Sequence, residues 1–572
     1  MDNGSIAQVL GEIADLLEIK GENAFKIRAY RSAAETLADH PDAVARLDLQ
    51  QLRELPGIGK DLAAKIRELV ETGACAYHAE LLHEFPPTIL ELLRLQGVGP
   101  KTVALLYSAL GVSSLETLAA AAREGRLRGI KGMGAKKEAL IIKAIEERQK
   151  DSGRVLLPRA AAISNELLAY LRARVPEAEF VPVGSLRRGC ETCGDLDILA
   201  VGAAPAVMEV FVQFPGVERV LARGDAKSSI RLTAGLQADL RLVPAESRGA
   251  AMQYFTGSKM HNIALRDLAI QRGLKLNEYG LYTVADDTRL AGETEASIYA
   301  ALGLEPIDPA LREDRGEIAA AARGSLPRLI TDEDLRGDLH MHTTETDGRD
   351  DLETMAAAAH ARGHRYIAIT DHSQALAMAN GLDETRALAH AARVRALNGR
   401  FEGLTLLAGI ECDILADGRL DLADDCLAQL DIVVASVHSQ MTQEPAQITD
   451  RLLRAMECRW VDVLGHPTAR RLLRREAMRF DFEAVTSAAA RLGVAMEINC
   501  QIERLDLSDV HARVARDRGV RLVISTDAHS TLELQNQHWG VQTARRGWIT
   551  PADVINTRDV DGLRASLRRN VG

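Results

Sequence analysis

FVPVGSLRRGCETCGDLDILAVG, residues 180–202, holds a short apolar strand at Phe180–Val183, a Gly-Ser turn, a polar loop and a second strand bearing Asp195 and Asp197. A spacing of two puts both carboxylates on one face of that strand. Further on, LQADLRLV (236–243) alternates, with Leu236, Ala238, Leu240 and Leu242 on one face and Gln237, Asp239 and Arg241 on the other. Three carboxylates can therefore converge from neighbouring strands, an arrangement under strain unless cations occupy it. Hard oxygen ligands of this kind suit Mg²⁺ shared with substrate phosphates. Two such ions would activate a hydroxyl nucleophile and stabilise a departing pyrophosphate. An Asp-x-Asp pair alone is more often a turn or a solvated face, so the surroundings decide.

Outward from this centre the composition changes. At roughly 100–200 residues per domain, 572 residues imply about three to five domains. With 47% hydrophobic and 26% charged residues, the chain is neither disordered nor fibrous. No apolar run reaches the ~18 residues of a membrane helix, and the acidic amphipathic N-terminus lacks the order of a signal peptide. Seven scattered cysteines argue against a disulfide framework and for a reducing cytoplasm. Cys190 and Cys193 form a lone C-x-x-C without a second pair, which we read as incidental. The net charge of -11 excludes a protein that wraps nucleic acid in positive charge. Residues 331–572 contain no lysine yet hold 11 of the 15 histidines.

From residue 337 onward apolar runs alternate with helical patterns about seven times: GDLHMH, YIAIT, LTLLAG, DIVVAS, VDVLG, VAMEIN and RLVIST. This pattern argues for parallel βα units with ligands at the strand ends. His340, His342 and Asp347 accompany the first strand, His372 the second, Glu411 the third, His438 the fourth, His466 the fifth, and Asp527 and His529 the last. A single histidine is more often structural, but six histidines and three carboxylates at one end are hard to explain by packing. The mixed N/O set suits Zn²⁺, Mn²⁺ or Fe²⁺ better than Mg²⁺. Arg470, Arg471, Arg474 and Arg475 follow His466, either to steer a nucleic-acid strand or as a solvated helix face.

Residues 1–150 read as helical, with Leu10, Ile13, Leu16, Leu17 and Leu62, Ile66, Leu69, Val70 at helical spacing. LPGIGK (55–60), LQGVGP (95–100) and IKGMGA (130–135) each place Gly-x-Gly before a new helix: Gly57 and Gly59, Gly97 and Gly99, Gly132 and Gly134. This is the helix-hairpin-helix pattern, whose backbone N–H groups meet DNA phosphates without sequence preference. A single copy would equally be a plain helix-linking turn.

Gly184-Ser185 with Gly194-Asp195-x-Asp197 forms a nucleotidyltransferase signature, and the stretch resembles bacterial-type family X DNA polymerases. The resemblance continues through QYFTGSKMHNIALRDLA (253–269) and KLNEYGL (275–281). It implies that Asp195, Asp197 and Asp239 are catalytic, that Gly184, Ser185, Arg188 and Gly194 contact the triphosphate, and that Tyr254, Phe255 and Gly257 form the sugar gate region. Asn262 and Arg266 would face the minor-groove side of the nascent pair. FKIRAYRSAAETL (25–37) before LPGIGK resembles the lyase domain of the same family, which makes Lys65 its Schiff-base lysine and Lys26 and Tyr30 its phosphate contacts. Asp61 stands where the family usually carries a lysine, so Lys65 is equally read as a solvated helix lysine. DLHMHT, TDHS, IECD, SVHS, LGHP and STDAH resemble the polymerase and histidinol phosphatase (PHP) domain, whose ligands hold up to three ions that cleave phosphoesters through an activated hydroxide.

The expected architecture is multidomain: an all-α helix-hairpin-helix N-terminal region, an α/β nucleotidyltransferase palm with a small α+β thumb-like subdomain, and a C-terminal distorted (β/α)7 barrel. The expected boundaries are 1–82 (lyase-like), 83–150 (two further hairpins), 151–243 (palm), 244–312 (nascent-pair subdomain), 313–335 (linker) and 336–572 (PHP). The resemblance implies a cytoplasmic, monomeric DNA polymerase that fills short gaps in base excision repair, using dNTPs, gapped or primer-template DNA and two Mg²⁺. Its PHP half would be a Mn²⁺- or Zn²⁺-dependent 3′-5′ exonuclease, with AP endonuclease or 3′-phosphatase activity as further options. The rivals are a PHP phosphatase or nuclease whose polymerase half only docks DNA, and a non-catalytic DNA-end scaffold.

Overall fold

The computed structural model describes residues 3–38, 44–85, 89–92, 98–123, 125–130, 133–134, 138, 141 and 153–570. Two compact units are present, 1–153 and 154–572.

The first unit is helical. Helix Asn3–Lys20 buries Leu10, Ile13, Leu16 and Leu17 completely, the stripe that its 3.6-residue periodicity requires. Helix Leu49–Glu54 starts with a capping box: Asp48 accepts from Gln50 N and Gln51 N at 2.8 Å, and Gln51 Oε1 accepts from Asp48 N at 2.9 Å. The chain then turns through Leu55–Gly59 into helix Lys60–Thr72, giving the first expected hairpin. Gly57 sits at φ +78°, and a Cβ there would stand 2.9 Å from Ser32 Oγ, so both conformation and space demand glycine. Gly99 is the N-cap of helix Pro100–Leu110, as Gly59 is of helix Lys60–Thr72. Gly134 O accepts from Glu138 N at 3.1 Å, while Gly97 and Gly132 lie outside the described residues.

The second unit begins with a two-residue ladder, β1 (Val155–Leu156) against β3 (Thr192–Cys193). A five-stranded sheet follows in the order β2 (Glu179–Pro182), β4 (Asp195–Val201), β7 (Gln237–Val243), β6 (Lys227–Leu232), β5 (Val217–Ala222). Helix Leu157–Arg174 lays Ala160, Leu167, Leu168 and Leu171 on the apolar face formed by Phe180, Ile198, Ala238 and Leu240. A three-stranded sheet, β8 (Leu274–Asn277), β9 (Gly280–Thr283) and β10 (Arg289–Ala291), packs with helices Arg248–Thr256 and Lys259–Gln271 as the expected small α+β subdomain.

The C-terminal part is a nearly closed barrel of seven parallel strands in sequential order: β11 (Gly337–Asp338), β12 (Tyr366–Ile369), β13 (Thr405–Asp413), β14 (Ile432–Ser436), β15 (Val463–Leu464), β16 (Ala495–Asn499) and β17 (Leu522–Ser525). Their near-continuous apolar runs are buried on both faces, as a helix-covered parallel sheet requires. The two ends meet where Met341 bridges Ala528, with His342 N donating to Ala528 O at 2.8 Å and Asp527 N to His340 O at 2.9 Å.

Two expectations are corrected here. The segment 313–335 is not a loose linker: its alanines form helix Glu317–Ala322, Ala320, Ala321 and Leu329 join the thumb core, and Ile330 joins the barrel core. Small side chains that look like a spacer in composition instead allow close packing. The arginine run after His466 is not a helix face either. Arg471 and Arg475 bridge across a tight turn in which Leu473 takes positive φ, as Ala469 does just before it.

Candidate active sites

The parallel pairing of β4 with β7 sets Asp197 directly beside Asp239, and Asp195 beside Gln237. Their side chains therefore share one face, as the alternation predicts. Asp197 is pushed up to about 6, first by burial and then by the charges of Asp195 and Asp239. Asp239 goes the other way. Burial would raise it, but hydrogen bonds from Lys227, Gln237 and Ser229 hold it below the ordinary carboxylate value. Lys227 Nζ lies 2.6 Å from Asp239 Oδ2, an internal cation that the sequence reading missed. An unequal, mutually repelling carboxylate trio is what bound divalent ions would relieve, so the residues fit Mg²⁺.

Gly184 faces this trio. It takes φ +65°, and a Cβ would stand 2.9 Å from Asp197 Oδ2. Val183 N also donates to Asp197 O at 2.9 Å, tying the Gly-Ser turn to the carboxylate strand. Ser185 lies in the short helix Gly184–Arg187, Arg188 follows it, and Gly194 immediately precedes β4. Arg187 forks onto Glu295 at 2.8 and 2.6 Å. Arg188 reaches Glu313 through Nε and Thr256 O through Nη1, both at 2.8 Å. Tyr254 and Phe255 meet edge to face at 5.1 Å, and Arg241, two residues beyond Asp239, lies 4.6 Å over the Phe255 ring. That contact brings the expected sugar gate beside the carboxylates. Asn262 donates to Tyr254 O at 2.6 Å and to Gly257 O at 3.2 Å, and a Cβ on Gly257 would strike Asn262 Oδ1. Arg266 lies four residues further along the same helix, hence on the same side.

Inside the barrel, Glu411 is the hub. Its Oε1 lies 2.9 Å from His466 Nε2 and 3.4 Å from both His340 Nε2 and His438 Nε2, while Oε2 lies 2.8 Å from His372 Nδ1 and 3.6 Å from His342 Nε2. Ligand atoms gather into three overlapping groups: His340, His342, Asp527; His342, Asp347, His372, His529; and His372, Glu411, His438. The groups overlap, because His342 and His372 each belong to two of them. His340 Nε2 and Glu411 Oε2 are buried without a hydrogen bond of acceptable geometry, as ligand atoms awaiting a cation would be. Burial disfavours charge on His372, His438 and His529, but neighbouring carboxylates outweigh it and push them up to about 9, about 10 and about 9. His342 is instead pushed down to about 4 by burial and by His529 and His372. His466 and Asp527 hold positive φ, the local strain that often accompanies a functional site.

Two carboxylates, Glu497 and Asp413, orient these imidazoles, and they were not anticipated from the sequence. Glu497 Oε1 lies 2.8 Å from His340 Nδ1, and Glu497 Oε2 accepts from His466 N at 2.7 Å. Asp413 pairs with His438 Nδ1, and Asn499 donates to Asp527 Oδ2 at 3.0 Å. Such partners fix the tautomer that presents Nε2 to a metal. Asp413 at the end of IECD and Glu497 within VAMEIN were the available signal.

In the first unit Lys65 is mostly buried and bonds to Asp61 at 2.7 Å. Its Nζ lies 5.2 Å from the centre of the Tyr77 ring, Lys26 Nζ lies 2.8 Å from Tyr77 Oη, and Tyr30 stacks on Tyr77 at 6.3 Å. The structure thus gathers Lys26, Tyr30 and Lys65 around Tyr77, a residue the sequence reading did not single out. The two cysteines of the C-x-x-C are free, and Cys193 is buried in the palm core.

The two centres define a nucleotidyltransferase joined to a metal-dependent phosphoesterase on one chain. Family models agree: a DNA polymerase beta thumb matches residues 251–313, a helix-hairpin-helix domain 1–75, a SAM-like helix-hairpin-helix tandem 89–147 and a PHP domain 338–501. The DNA polymerase/3′-5′ exonuclease PolX of Bacillus subtilis is 38% identical over 573 residues, the full length of both chains. A "probable phosphatase" of Shewanella sp. strain ANA-3 is 31% identical over 207 residues, 34% of this chain and 77% of its own. Another from Thermoanaerobacter sp. strain X514 is 27% identical over 243 residues, 40% of this chain and 94% of its own. The chain belongs to the PolX family of DNA polymerase/3′-5′ exonucleases.

Proposed function

We propose that this enzyme fills short gaps in DNA during base excision repair and trims 3′ ends through its barrel site. The register that sets Asp197 against Asp239 under the Gly184 turn carries this reading. Two Mg²⁺ bound by Asp195, Asp197 and Asp239 would supply charge neutralisation for attack of a primer 3′-hydroxyl on a dNTP. Ser185, Arg188 and Gly194 hold the triphosphate, Tyr254 and Phe255 wall the sugar, and Asn262 and Arg266 face the nascent pair. The hairpins meet the phosphates of gapped or primer-template DNA through backbone N–H groups at Gly57, Gly59, Gly99 and Gly134.

In the barrel, His340, His342, Asp347, His372, Glu411, His438, His466, Asp527 and His529 would hold up to three Mn²⁺ or Zn²⁺, which supply Lewis acidity and an activated water. Glu411, whose two oxygens face different histidines, would be a ligand shared within this set. The resemblance to phosphatases supports action on terminal phosphomonoesters as well as on 3′-terminal nucleotides.

The test is a gapped duplex assayed for extension with Mg²⁺ and for 3′ degradation with Mn²⁺. Asp197→Ala is expected to lower extension by at least about a thousandfold and leave degradation within twofold. His342→Ala should do the reverse in a protein that still melts cooperatively. Extension by Asp197→Ala near the wild-type rate refutes the palm assignment.

A further inference from the structure

The loop that carries Ser185 and Arg188 is gripped from outside the palm. Glu313 Oε1 accepts from Arg188 Nε and from Arg546 Nη1, each at 2.8 Å. Arg546 ends helix Gln537–Arg546, which packs on the barrel. The same Arg546 nitrogen donates to Arg188 O at 3.1 Å, and its other arm reaches Asp509 Oδ2 at 2.9 Å. A Cβ on Gly189 would lie 3.4 Å from Gln542 Oε1 and 3.9 Å from Arg546 Cδ, so this turn rests against the barrel helix. Further along the loop, Glu191 takes a fork from Arg470 at 3.2 and 2.6 Å. Arg470 lies four residues after His466.

These contacts are desolvated: the side chains of Arg188 and Glu313 are 14% exposed and that of Arg546 is 9% exposed. Charges this close to the protein interior act strongly on each other. Glu313 is shared by two guanidinium groups, of which Arg546 is paired with Asp509 as well. Without Arg546, Glu313 would neutralise Arg188 alone and draw it fully into an ion pair. With Arg546, Glu313 is divided between the two, and the bonds that set the Arg188 plane do not use its Nη2.

We propose that Arg546, with Arg470 as a second clamp, is a positioning residue for nucleotide binding in the polymerase half: by sharing Glu313 and holding the Arg188 carbonyl, it keeps Arg188 aimed at the incoming triphosphate. The proposal rests on the reading of Arg188 as a triphosphate contact. It makes the barrel a structural part of the polymerase site.

The experiment is single-nucleotide insertion on a gapped duplex by the full-length protein with Mg²⁺, comparing wild type, Arg188→Ala, Arg546→Ala and the double variant. Arg546→Ala is expected to raise KM for dNTP about tenfold, the loss of a charge-assisted hydrogen bond, with kcat and DNA affinity within twofold. In the Arg188→Ala background the same change should add nothing, because it acts through Arg188. Arg546→Lys, which keeps the charge, should recover part of the loss. An unchanged KM, or additive effects in the double variant, overturns the proposal. A wild-type KM in Arg188→Ala alone overturns instead the reading on which it stands. Should Arg546→Ala lack a cooperative melting transition, Arg470→Ala is measured in its place. It is expected to raise KM about threefold, and an unchanged value there overturns the proposal equally.

Discussion

Asp61 decides how Lys65 can behave. The Lys65 nitrogen must be free to attack a sugar carbonyl, and here it is held in a hydrogen bond to Asp61 Oδ1 at 2.7 Å that has to break first. Tyr77 adds to this, since its ring lies 5.2 Å from the same nitrogen and restricts its movement. We therefore expect weak borohydride trapping on a 5′-deoxyribose phosphate end, rising several-fold in Asp61→Ala and vanishing in Lys65→Ala. Strong trapping by the wild type, unchanged in Asp61→Ala, would show that the carboxylate does not govern the lysine. Lys26, Tyr30 and Lys65 were legible in the sequence because a motif carried them. Tyr77 was not, since a tyrosine on an ordinary helix announces nothing until the fold brings it beside two lysines. Lys227 is a similar case: it reads as an edge residue of a strand until the sheet order places it against Asp239.

At the scale of elements, period and register separate what a sequence can tell from what it cannot. Alternation in LQADLRLV predicts which face Asp239 occupies. Only the parallel pairing of β4 with β7 says that it stands opposite Asp197 and not opposite Asp195. The seven apolar runs foretell seven strands, and the histidines at their ends foretell a cluster. The carboxylates behind them, Glu497 and Asp413, were missed because a buried acid on a strand has no signature until its imidazole partner is known. The Gly-Ser turn shows how tightly these elements are joined. Gly184→Ala would place an L-residue at φ +65°, costing about 1 kcal/mol, and press a methyl group against Asp197 Oδ2. Extension should fall more than tenfold while denaturant melting shows only that small loss of stability. Wild-type extension in this variant would mean that the turn does not shape the carboxylate site.

At the scale of the molecule, charge networks hold the palm, thumb and barrel together. Glu295 is shared by Arg187 of the palm and Arg312 at the end of the thumb. Burial alone would raise its pKa, but the two guanidinium groups hold it down at about 2 against an ordinary 4.5. A depressed carboxylate stabilises the fold fully above its unfolded value, and this contribution is lost as pH falls from about 5 toward 2. The amount is on the order of 3 kcal/mol. Glu295→Gln should therefore flatten the acid limb of stability against pH in that window, read by urea melts at pH 5, 4 and 3. A variant whose acid limb matches the wild type would remove Glu295 from the account.

The closure of the barrel also bears on how the enzyme is made. Asp527 and His529 arrive almost two hundred residues after His340 and His342, and the seam between Met341 and Ala528 joins them. A chain leaving the ribosome folds its early segments first, so the N-terminal helices and the palm sheet precede the last barrel strand. Until that strand emerges, the nuclease centre lacks one wall. A product of interrupted translation would therefore carry DNA-binding hairpins without a finished hydrolytic centre.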